Sequence, residues 1–300
     1  MFHFRQPVSY PGIPDPSLKA TGLICCPGEK LGRGIRFYCF SPGYWEGTGS
    51  GAILRRVIIK VLALKNPLII ALDVDTLEEA EILTNKLSAY VGAFKVGLQL
   101  YNSVGPEVLK KLKRKGVPVF VDLKLHDIPN TVAAAAKVLT RYGASILNVH
   151  AAGGSAMMRA AAEAVRAEAA RSGTGRPLVT AVTVLTSIDQ EVFNNEMGIP
   201  GSLQKQVTAW ALLAKTCGLD GVVASPGEIT AIREACGQDF VIITPGVRPV
   251  WSMANDQKRT MTPAEAAKLG ATYLVVGRPV TASPDPVKAI QEVLKEICPA

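Results

Sequence analysis

Downstream of residue 62, short apolar runs rich in Val and Ile alternate with longer amphipathic stretches. The longer stretches, such as "TLEEAEILTNKLSAY" and "AMMRAAAEAVRAEAARSG", repeat apolar residues three or four positions apart and predict helices. The short runs are typical of buried strands. The eight predicted strands are "LIIALDV" (68–74), "AFKVG" (93–97), "PVFVDLK" (118–124), "SILNVH" (145–150), "LVTAVTV" (178–184), "GVVAS" (221–225), "FVIITP" (240–245) and "YLVVG" (273–277).

Eight strands, each followed by a helical stretch, predict an α/β protein with a (β/α)8 TIM barrel. The alternative is a doubly wound open sheet, which is disfavoured because no GxGxxG motif follows the first strand. Two connections, "TSIDQEVFNNEMGIPGS" and "GVRPVWSMANDQKRTMT", are too long for plain turns. Loops of this length are usually functional, and both are expected at the carboxyl end of the barrel, where barrel enzymes keep their active sites.

The first 62 residues differ in kind from the rest of the chain. They are rich in Gly, Pro, Tyr and Ser, and segments such as "SYPGIPDP" predict consecutive turns without a lasting period. We therefore expect a low-order basic extension over residues 1–62, disordered or loosely attached, and a barrel domain over residues 63–300. The alternative is an upstream reading artefact, with the natural start near Val61 or Leu62.

Composition and charge exclude several classes of protein. The net charge of +8 is concentrated in the extension, which carries eight Lys or Arg against three acidic residues. These charges are scattered and form no stripe, so we expect no nucleic-acid partner. No apolar run approaches the roughly 18 residues of a membrane span, and the N-terminus lacks a secretory h-region, so a cytoplasmic protein is expected. The six cysteines show no CxxC spacing and are expected to be reduced.

Charged residues stand at the tips of three consecutive predicted strands. Asp122 and Lys124 lie two positions apart in "VFVDLKLHDIPNT" and therefore share a face. Asp73 in "ALDVD" and Lys95 in "FKVG" occupy the tips of the first two strands. Any one of these charges could be a solvated strand-end pair of little consequence. Together they predict four charges around one cavity, because burying such a set is costly unless the charges pair and serve a purpose.

The spacing of these charges predicts a type of chemistry. A lysine flanked by carboxylates is held protonated, and the lysines in turn keep the carboxylates ionised. An ammonium group is a poor nucleophile but a good positioned acid. The pattern therefore favours proton donation and disfavours Schiff-base chemistry.

A second group of residues predicts a phosphate site. "TPGVRP" places Gly246 and Arg248 after the seventh strand, and "VVGRPVTASPDP" places Gly277 and Arg278 after the eighth. The loops after these two strands form the usual phosphate site of a TIM barrel, because glycines expose backbone N–H groups there.

The remaining histidine, methionine and tryptophan residues give no prediction of a functional site. His126 and His150 have no partners at metal-ligand spacing, so each is expected to be structural, and no metal site is predicted. The residues expected to pack in the interior are Met157, Met158, Trp210 and Trp251.

Seven motifs together resemble the orotidine 5′-phosphate decarboxylase family: "ALDVD", "FKVG", "FVDLKLHDIPNT", "NVHAAGG", "VTVLTS", "TPGVRP" and "VVGRPV". The match spans roughly residues 66–295 and leaves the extension unexplained. The resemblance implies a homodimeric carboxy-lyase that removes CO2 from orotidine 5′-phosphate to give UMP, the final step of de novo pyrimidine biosynthesis. It also implies that no metal or organic cofactor is needed.

The resemblance implies roles for the charged residues. Lys124 would protonate the carbanion left at C6 of the pyrimidine, with Asp122 beside the substrate carboxylate. Lys95 and Asp73 would position the ribose hydroxyls and complete the charge network. Asp127 would cross a dimer interface to the neighbouring site, and the residues that would accompany it are Ile128 and Thr131.

It also implies the remaining substrate contacts. Gly277 and Arg278 would hold the phosphate together with Gln257, and Thr186 with Ser187 would contact the pyrimidine. The full implied set is Asp73, Lys95, Asp122, Leu123, Lys124, Leu125, His126, Asp127, Ile128, Pro129, Asn130, Thr131, Thr186, Ser187, Arg248, Gln257, Gly277 and Arg278.

Two other functions stay open. A sibling barrel enzyme resembling hexulose-phosphate synthase would use Mg²⁺ on a sugar phosphate, and would need further metal-binding carboxylates at the strand ends; "IPNT" and "PGVRP" argue against it. A protein of another class would bind a partner, such as nucleic acid, through the basic extension without catalysing a reaction.

Overall fold

The computed structural model describes Leu64, residues 66–252 and residues 261–297. The expected boundary at residue 62, the extension and Gln257 lie outside the described residues. The strands are β1 (Leu68–Ala71), β2 (Ala93–Gly97), β3 (Val119–Leu125), β4 (Ile146–His150), β5 (Leu178–Val182), β6 (Gly221–Val223), β7 (Val241–Pro245) and β8 (Tyr273–Val276). They pair in parallel and in chain order, and β8 pairs with β1. The (β/α)8 barrel is confirmed, and the open sheet is wrong because the first and last strands close the cylinder.

The predicted strands begin within one residue of the observed ones; their predicted ends are correct for β2, β4 and β7 and too long for β1, β5, β6 and β8. β1 ends at Ala71 instead of residue 74, and β6 ends at Val223 instead of residue 225. The residues after these ends lie in the connections at the carboxyl end, although the N–H groups of Leu72 and Ala224 still donate to the carbonyls of Lys95 and Ile243 in the neighbouring strands. β3 instead extends one residue past its predicted end, because it continues to Leu125 through an irregular stretch.

The helices surround the barrel. They are α1 (Leu77–Leu87), α2 (Leu98–Val104), α3 (Glu107–Arg114), α4 (Pro129–Tyr142), α5 (Gly154–Ser172), α6 (Leu203–Thr216), α7 (Ile229–Cys236), α8 (Pro263–Leu269), α9 (Arg278–Thr281) and α10 (Pro286–Ile297). Local sequence explains several of their ends: Thr76 forms a capping box with Glu79 at the start of α1, and α4 ends at Gly143, whose φ is 88°. Among the described helices, none is both long and apolar enough to cross a bilayer.

Two apolar layers hold the barrel together. Outward-facing strand residues such as Phe94 and Val121 pack with the helices in one large cluster, which also contains Met157 and Met158. Inward-facing residues fill the interior: Ile69, Ala71, Ala93, Phe120, Ile146, Leu178, Val182, Val223, Ile243, Tyr273 and Val275. The interior remains apolar up to the carboxyl end, where the inward positions become charged. Water cannot reach these charges from the apolar interior of the barrel, and this poor solvation strengthens the interactions between them.

The remaining packing predictions have mixed outcomes. Trp210 packs against the outer cluster as expected, whereas Trp251 is 49% exposed, so the prediction is wrong for Trp251. Trp251 lies in a short 3₁₀ turn (Val250–Ser252) of the long connection after β7. Of the six cysteines, Cys217 and Cys236 lie in the described part, and both are buried free thiols.

Candidate active site

Four charged side chains meet at the carboxyl end of the first three strands. Lys95 Nζ lies 3.1 Å from Asp73 Oδ1 and 3.6 Å from Asp122 Oδ2. Lys124 Nζ lies 2.8 Å from Asp122 Oδ1. The order Asp73, Lys95, Asp122, Lys124 therefore alternates in sign, so each inner charge touches two opposite charges. This is the arrangement that strand alternation predicted.

Burial and pairing compete at Asp122, whose side chain is 14% exposed. Burial is the largest single influence and acts to raise the pKa of the carboxyl. The charge of Lys95, the hydrogen bond and charge of Lys124 and the hydrogen bond from Asn148 together outweigh it and lower the pKa below its ordinary value. Asp122 is therefore a carboxylate at neutral pH and can hold an ammonium group in place.

Asn148 is a site residue that the sequence reasoning missed. Its Nδ2 donates to Asp122 Oδ1 at 2.7 Å, and its Oδ1 accepts from the backbone N–H of Lys124 at 2.8 Å. The side chain is 1% exposed. A signal was present, because Asn148 is a polar residue at an inward-facing position in the middle of the predicted strand "SILNVH", between apolar neighbours.

A cavity of about 310 Å³ opens beside the charged group. Its charged wall is formed by Lys95, Asp122 and Lys124. The rest of the lining is mostly apolar: Phe120, Val182, Val184, Leu185, Thr186, Ser187, Val223, Ala224, Pro245 and Val275. A planar ring of the size of a pyrimidine fits such a volume, with one edge facing the charges.

The structure brings the predicted binding residues to the same end of the barrel. Thr186 and Ser187 line the cavity. Gly277 follows β8 closely enough to the charges that a Cβ there would lie 3.8 Å from Asp73 Oδ2. Arg278 is exposed and begins α9, while Arg248 is partly buried and its backbone N–H donates to the Met261 carbonyl at 3.0 Å.

The 122–131 motif divides into a buried and an exposed half. Leu123 and Leu125 are partly buried against the outer apolar cluster, and neither lines the cavity. The six residues of 126–131 are exposed. Within them Asp127 Oδ1 accepts from the Ile128 N–H at 2.6 Å, and Ile128 is 66% exposed. Pro129, Asn130 and Thr131 form the first turn of α4. Within the described chain, this segment does not reach into the cavity.

The two histidines, each expected to be structural, lie next to each other. The His126 and His150 rings stack with centroids 5.3 Å apart, and Trp210 contacts His150 edge-on at 6.2 Å. His150 Nδ1 accepts from the Ala152 N–H at 3.2 Å. Burial, followed by the charges of His126 and Lys124, lowers the pKa of His150. Over residues 66–252 and 261–297, no three His, Cys, Asp or Glu side chains are grouped to hold a metal ion.

Comparisons with known proteins agree with this geometry. Residues 66–293 match the model of the orotidine 5′-phosphate decarboxylase / HUMPS family. A curated orotidine 5′-phosphate decarboxylase of Moorella thermoacetica is 57% identical over 233 residues, which are 78% of this chain and 92% of the relative. Another, of Heliobacterium modesticaldum, is 52% identical over 233 residues, or 78% of this chain and 96% of the relative.

Solved structures agree as well. The crystal structure of orotidine 5′-phosphate decarboxylase from Lactobacillus acidophilus is 39% identical with a TM-score of 0.69, and the match covers 77% of this chain and 99% of that one. An uncharacterised conserved protein from Geobacillus kaustophilus is 41% identical with a TM-score of 0.66, covering 77% and 100%. The matched region contains the whole barrel and all four charged residues. The chain belongs to the orotidine 5′-phosphate decarboxylase / HUMPS family.

Proposed function

We propose that this chain is a carboxy-lyase that converts orotidine 5′-phosphate to UMP and CO2. The observation that carries the proposal is the alternating array of Asp73, Lys95, Asp122 and Lys124, of which the last three form one wall of an otherwise mostly apolar cavity, in a member of this family. Direct decarboxylation leaves a localised negative charge on carbon. A fixed ammonium group both stabilises that charge and supplies the proton that ends it.

The proposed step balances with one proton from the enzyme. The bond between C6 of the pyrimidine and the carboxylate carbon breaks, CO2 leaves, and the electron pair stays on C6. An N–H bond of Lys124 then breaks as the C6–H bond of UMP forms. Lys124 is left neutral until it takes a proton from solvent, which restores the starting state.

The neighbouring charges keep Lys124 in place. Asp122 contacts Lys124 at 2.8 Å and lies beside the substrate carboxylate in this proposal. Lys95 and Asp73, paired at 3.1 Å, bind the ribose hydroxyls and fix the charge network from the other side. Because the groups are already paired in the free protein, little reorganisation is needed when charge develops at C6.

Binding away from the reacting carbon supplies orientation. The phosphate is held by Gly277 and Arg278 at the start of α9, with Gln257 from the long connection after β7, and Arg248 belongs to the same end of the barrel. Thr186 and Ser187, which line the cavity, contact the pyrimidine. Contacts to the phosphate and ribose contribute to catalysis by fixing the ring against the ammonium group.

A homodimer completes the site in this proposal. Asp127, Ile128 and Thr131 serve the site of the neighbouring subunit. Two features support this: the segment is exposed and does not line the cavity of its own chain, and Ile128 is an apolar side chain with 66% of its surface exposed. A subunit contact that covers this side chain would remove its apolar surface from water, which favours association.

The reaction is tested by mixing the purified chain with orotidine 5′-phosphate in excess EDTA and following the loss of substrate absorbance. Turnover that persists in EDTA is expected. A magnesium-dependent aldolase acting on a sugar phosphate would lose its activity in EDTA and leave orotidine 5′-phosphate unchanged. Absence of turnover by the wild-type chain would refute the proposed function.

The shared site is tested by complementation. Lys124→Ala and Asp127→Ala are each expected to be inactive as homodimers. In a mixed dimer, one of the two sites combines an intact Lys124 with an intact Asp127 from the partner. Mixing equal amounts under conditions that allow subunit exchange should restore about a quarter of wild-type activity, since half of the dimers are mixed. No recovery despite proven exchange would contradict the shared site.

A further inference from the structure

Asn148 is the one β4 residue that faces an irregular stretch of β3. The register pairs Val121 with Leu147 and Leu125 with Val149. Three residues of β3 therefore stand against a single residue of β4, and one of the three is Lys124. Among the described residues, Lys124 is the only non-glycine residue with a positive φ, at 50°. The backbone of a non-glycine residue is strained in this left-handed conformation, which persists only where the surrounding structure holds it.

The Asn148 side chain gives the Lys124 N–H of the irregular stretch an acceptor and also binds the Asp122 carboxylate. Its Oδ1 accepts from the Lys124 N–H at 2.8 Å, and its Nδ2 donates to Asp122 Oδ1 at 2.7 Å. These two bonds also fix the orientation of the amide. A flipped amide would set its oxygen against the carboxylate and its NH2 group against the backbone N–H.

Asn is suited to this position because one of its two partners is a hydrogen-bond donor and the other is an acceptor. The Lys124 N–H requires an acceptor, and the Asp122 carboxylate requires a donor. Asp would supply acceptors alone and would add a like charge, whereas Leu would supply neither. Gln would add a methylene at a site where the side chain is already 1% exposed.

Asn148 does not line the cavity, so it can act on a substrate only through its neighbours. Asp122 Oδ1 receives hydrogen bonds from both Asn148 and Lys124, at 2.7 and 2.8 Å. One oxygen atom thus connects the buried amide to the ammonium group. The amide also holds the backbone from which that ammonium group extends.

We propose that Asn148 is a positioning residue for proton transfer: it holds the Lys124 backbone in its left-handed conformation and the Asp122 carboxylate in one orientation, so that the ammonium group faces the reacting carbon. The inference rests on the proposed function, because it assigns Lys124 as the proton donor. It adds that a residue without substrate contact sets the rate of the chemical step.

Asn148→Leu and Asn148→Asp test the inference. We expect kcat for orotidine 5′-phosphate to fall about 10- to 100-fold, the usual effect of removing a supporting hydrogen-bond partner. KM and the affinity for UMP should change less than about threefold, because the residues proposed to hold the phosphate and the ribose hydroxyls keep their side chains. The acid limb of kcat/KM should move to higher pH, since the Asn148 hydrogen bond helps lower the pKa of Asp122. The displacement should be larger in Asn148→Asp, which adds a like charge.

Thr244→Val is the matched control. Thr244 lies in β7 and is fully buried, and its hydroxyl has no hydrogen-bond partner among the residues that the structure describes. Removing this hydroxyl should leave kcat and the pH profile unchanged. If Asn148→Leu does not fold, Asn148→Ser provides the test, because it keeps a small polar group and leaves room for a water; its loss of kcat should be smaller but of the same kind.

Three results would overturn the inference. Wild-type kcat in folded Asn148→Leu would refute the positioning role alone. A loss that follows the folded fraction, with an unchanged pH profile, would reduce Asn148 to a purely structural residue. A wild-type chain that does not turn over orotidine 5′-phosphate would refute the proposed function and this inference together.

Discussion

Gly97 leaves the space that the Lys95 ammonium group occupies. A Cβ built on Gly97 would lie 2.9 Å from Lys95 Nζ and 3.6 Å from Asp73 Oδ1. Gly97 ends β2 and pairs with Asp122 in the neighbouring strand, so it lies at the centre of the charged group. Its φ of −94° and ψ of −173° are accessible to any residue. The glycine is therefore required for the space it leaves and not for its backbone conformation.

Gly97→Ala should separate activity from stability. The nearest atom is the far end of a flexible side chain, so the fold can accommodate the methyl group, and the melting temperature should stay the same or rise slightly. The displaced ammonium group should lower kcat/KM for orotidine 5′-phosphate about 10- to 100-fold. Gly227→Ala is the control, because a Cβ there meets nothing within 4 Å. A Gly97→Ala variant with wild-type kcat/KM would contradict the importance of the Lys95 position.

Lys124→Ala should abolish turnover and leave the fold intact. If Lys124 donates the proton, kcat should fall by at least about 10³-fold, near the upper part of the range for a general acid. UMP binding should remain measurable by calorimetry, because the phosphate and ribose contacts are untouched. Lys295→Ala is the control, since Lys295 forms an exposed pair with Glu292 at 2.8 Å and should matter little. Near-wild-type turnover by Lys124→Ala would refute the assigned role.

The barrel and its charges follow from a simple period, which is why the sequence predicts them. Alternation along "FVDLK" puts Asp122 and Lys124 on one face, and the structure places their charged groups 2.8 Å apart. Adjacency of consecutive strands then brings Lys95 to the same group. These inferences depend only on strand identity and chain order, which strongly apolar runs determine well.

The contacts that the sequence does not predict depend on departures from that period. The left-handed backbone of Lys124 shifts the register of β3 against β4, and the partner of that irregularity is 24 residues away at Asn148. The stacking of His126 on His150 likewise depends on how the ends of two strands are staggered. The hydrophobic pattern sets the regular register of a strand but gives no signal for a local irregularity within it, so such pairs become visible only in three dimensions.

Gly221→Ala should destabilise the barrel. Gly221 begins β6, and a Cβ there would lie 2.1 Å from the carbonyl oxygen of Val241 in the adjacent strand. Backbone of a paired strand cannot move aside as a side-chain end can, so the free energy of unfolding should fall by about 3 kcal/mol or more. Chemical denaturation measures the effect, again with Gly227→Ala as the control. An unchanged denaturation midpoint would show that β6 and β7 can separate locally.

Glu228 is a buried acid that the proposed reaction does not use. It ends the turn after β6, is 8% exposed, and accepts from the Ser225 N–H at 2.9 Å in a capping box. Burial raises the pKa of its carboxyl from 4.5 to about 7, against the opposing effect of the hydrogen bonds from Ser225. The folded protein therefore holds this proton more tightly than the unfolded chain does. The stability that Glu228 contributes is complete below pH 4.5 and is lost as the pH rises to about 7.

Glu228→Gln should remove that pH dependence, because the amide keeps an acceptor for Ser225 and carries no charge. Near pH 4.5 the variant should have nearly the same melting temperature as wild type. At pH 8 its melting temperature should be clearly higher, and its free energy of unfolding should exceed that of wild type by up to about 3 kcal/mol. Glu265→Gln is the matched control: Glu265 forms the same capping box with Thr262, but it is exposed and its hydrogen bonds with Thr262 lower its pKa. The effect of pH on stability has the opposite sign at Glu265, because a carboxyl whose pKa is lowered by folding contributes stability at high pH. Glu265→Gln should therefore not be more stable than wild type at pH 8. Equal melting curves for Glu228→Gln and wild type at both pH values would mean that Glu228 is as well solvated in the folded protein as in the unfolded chain.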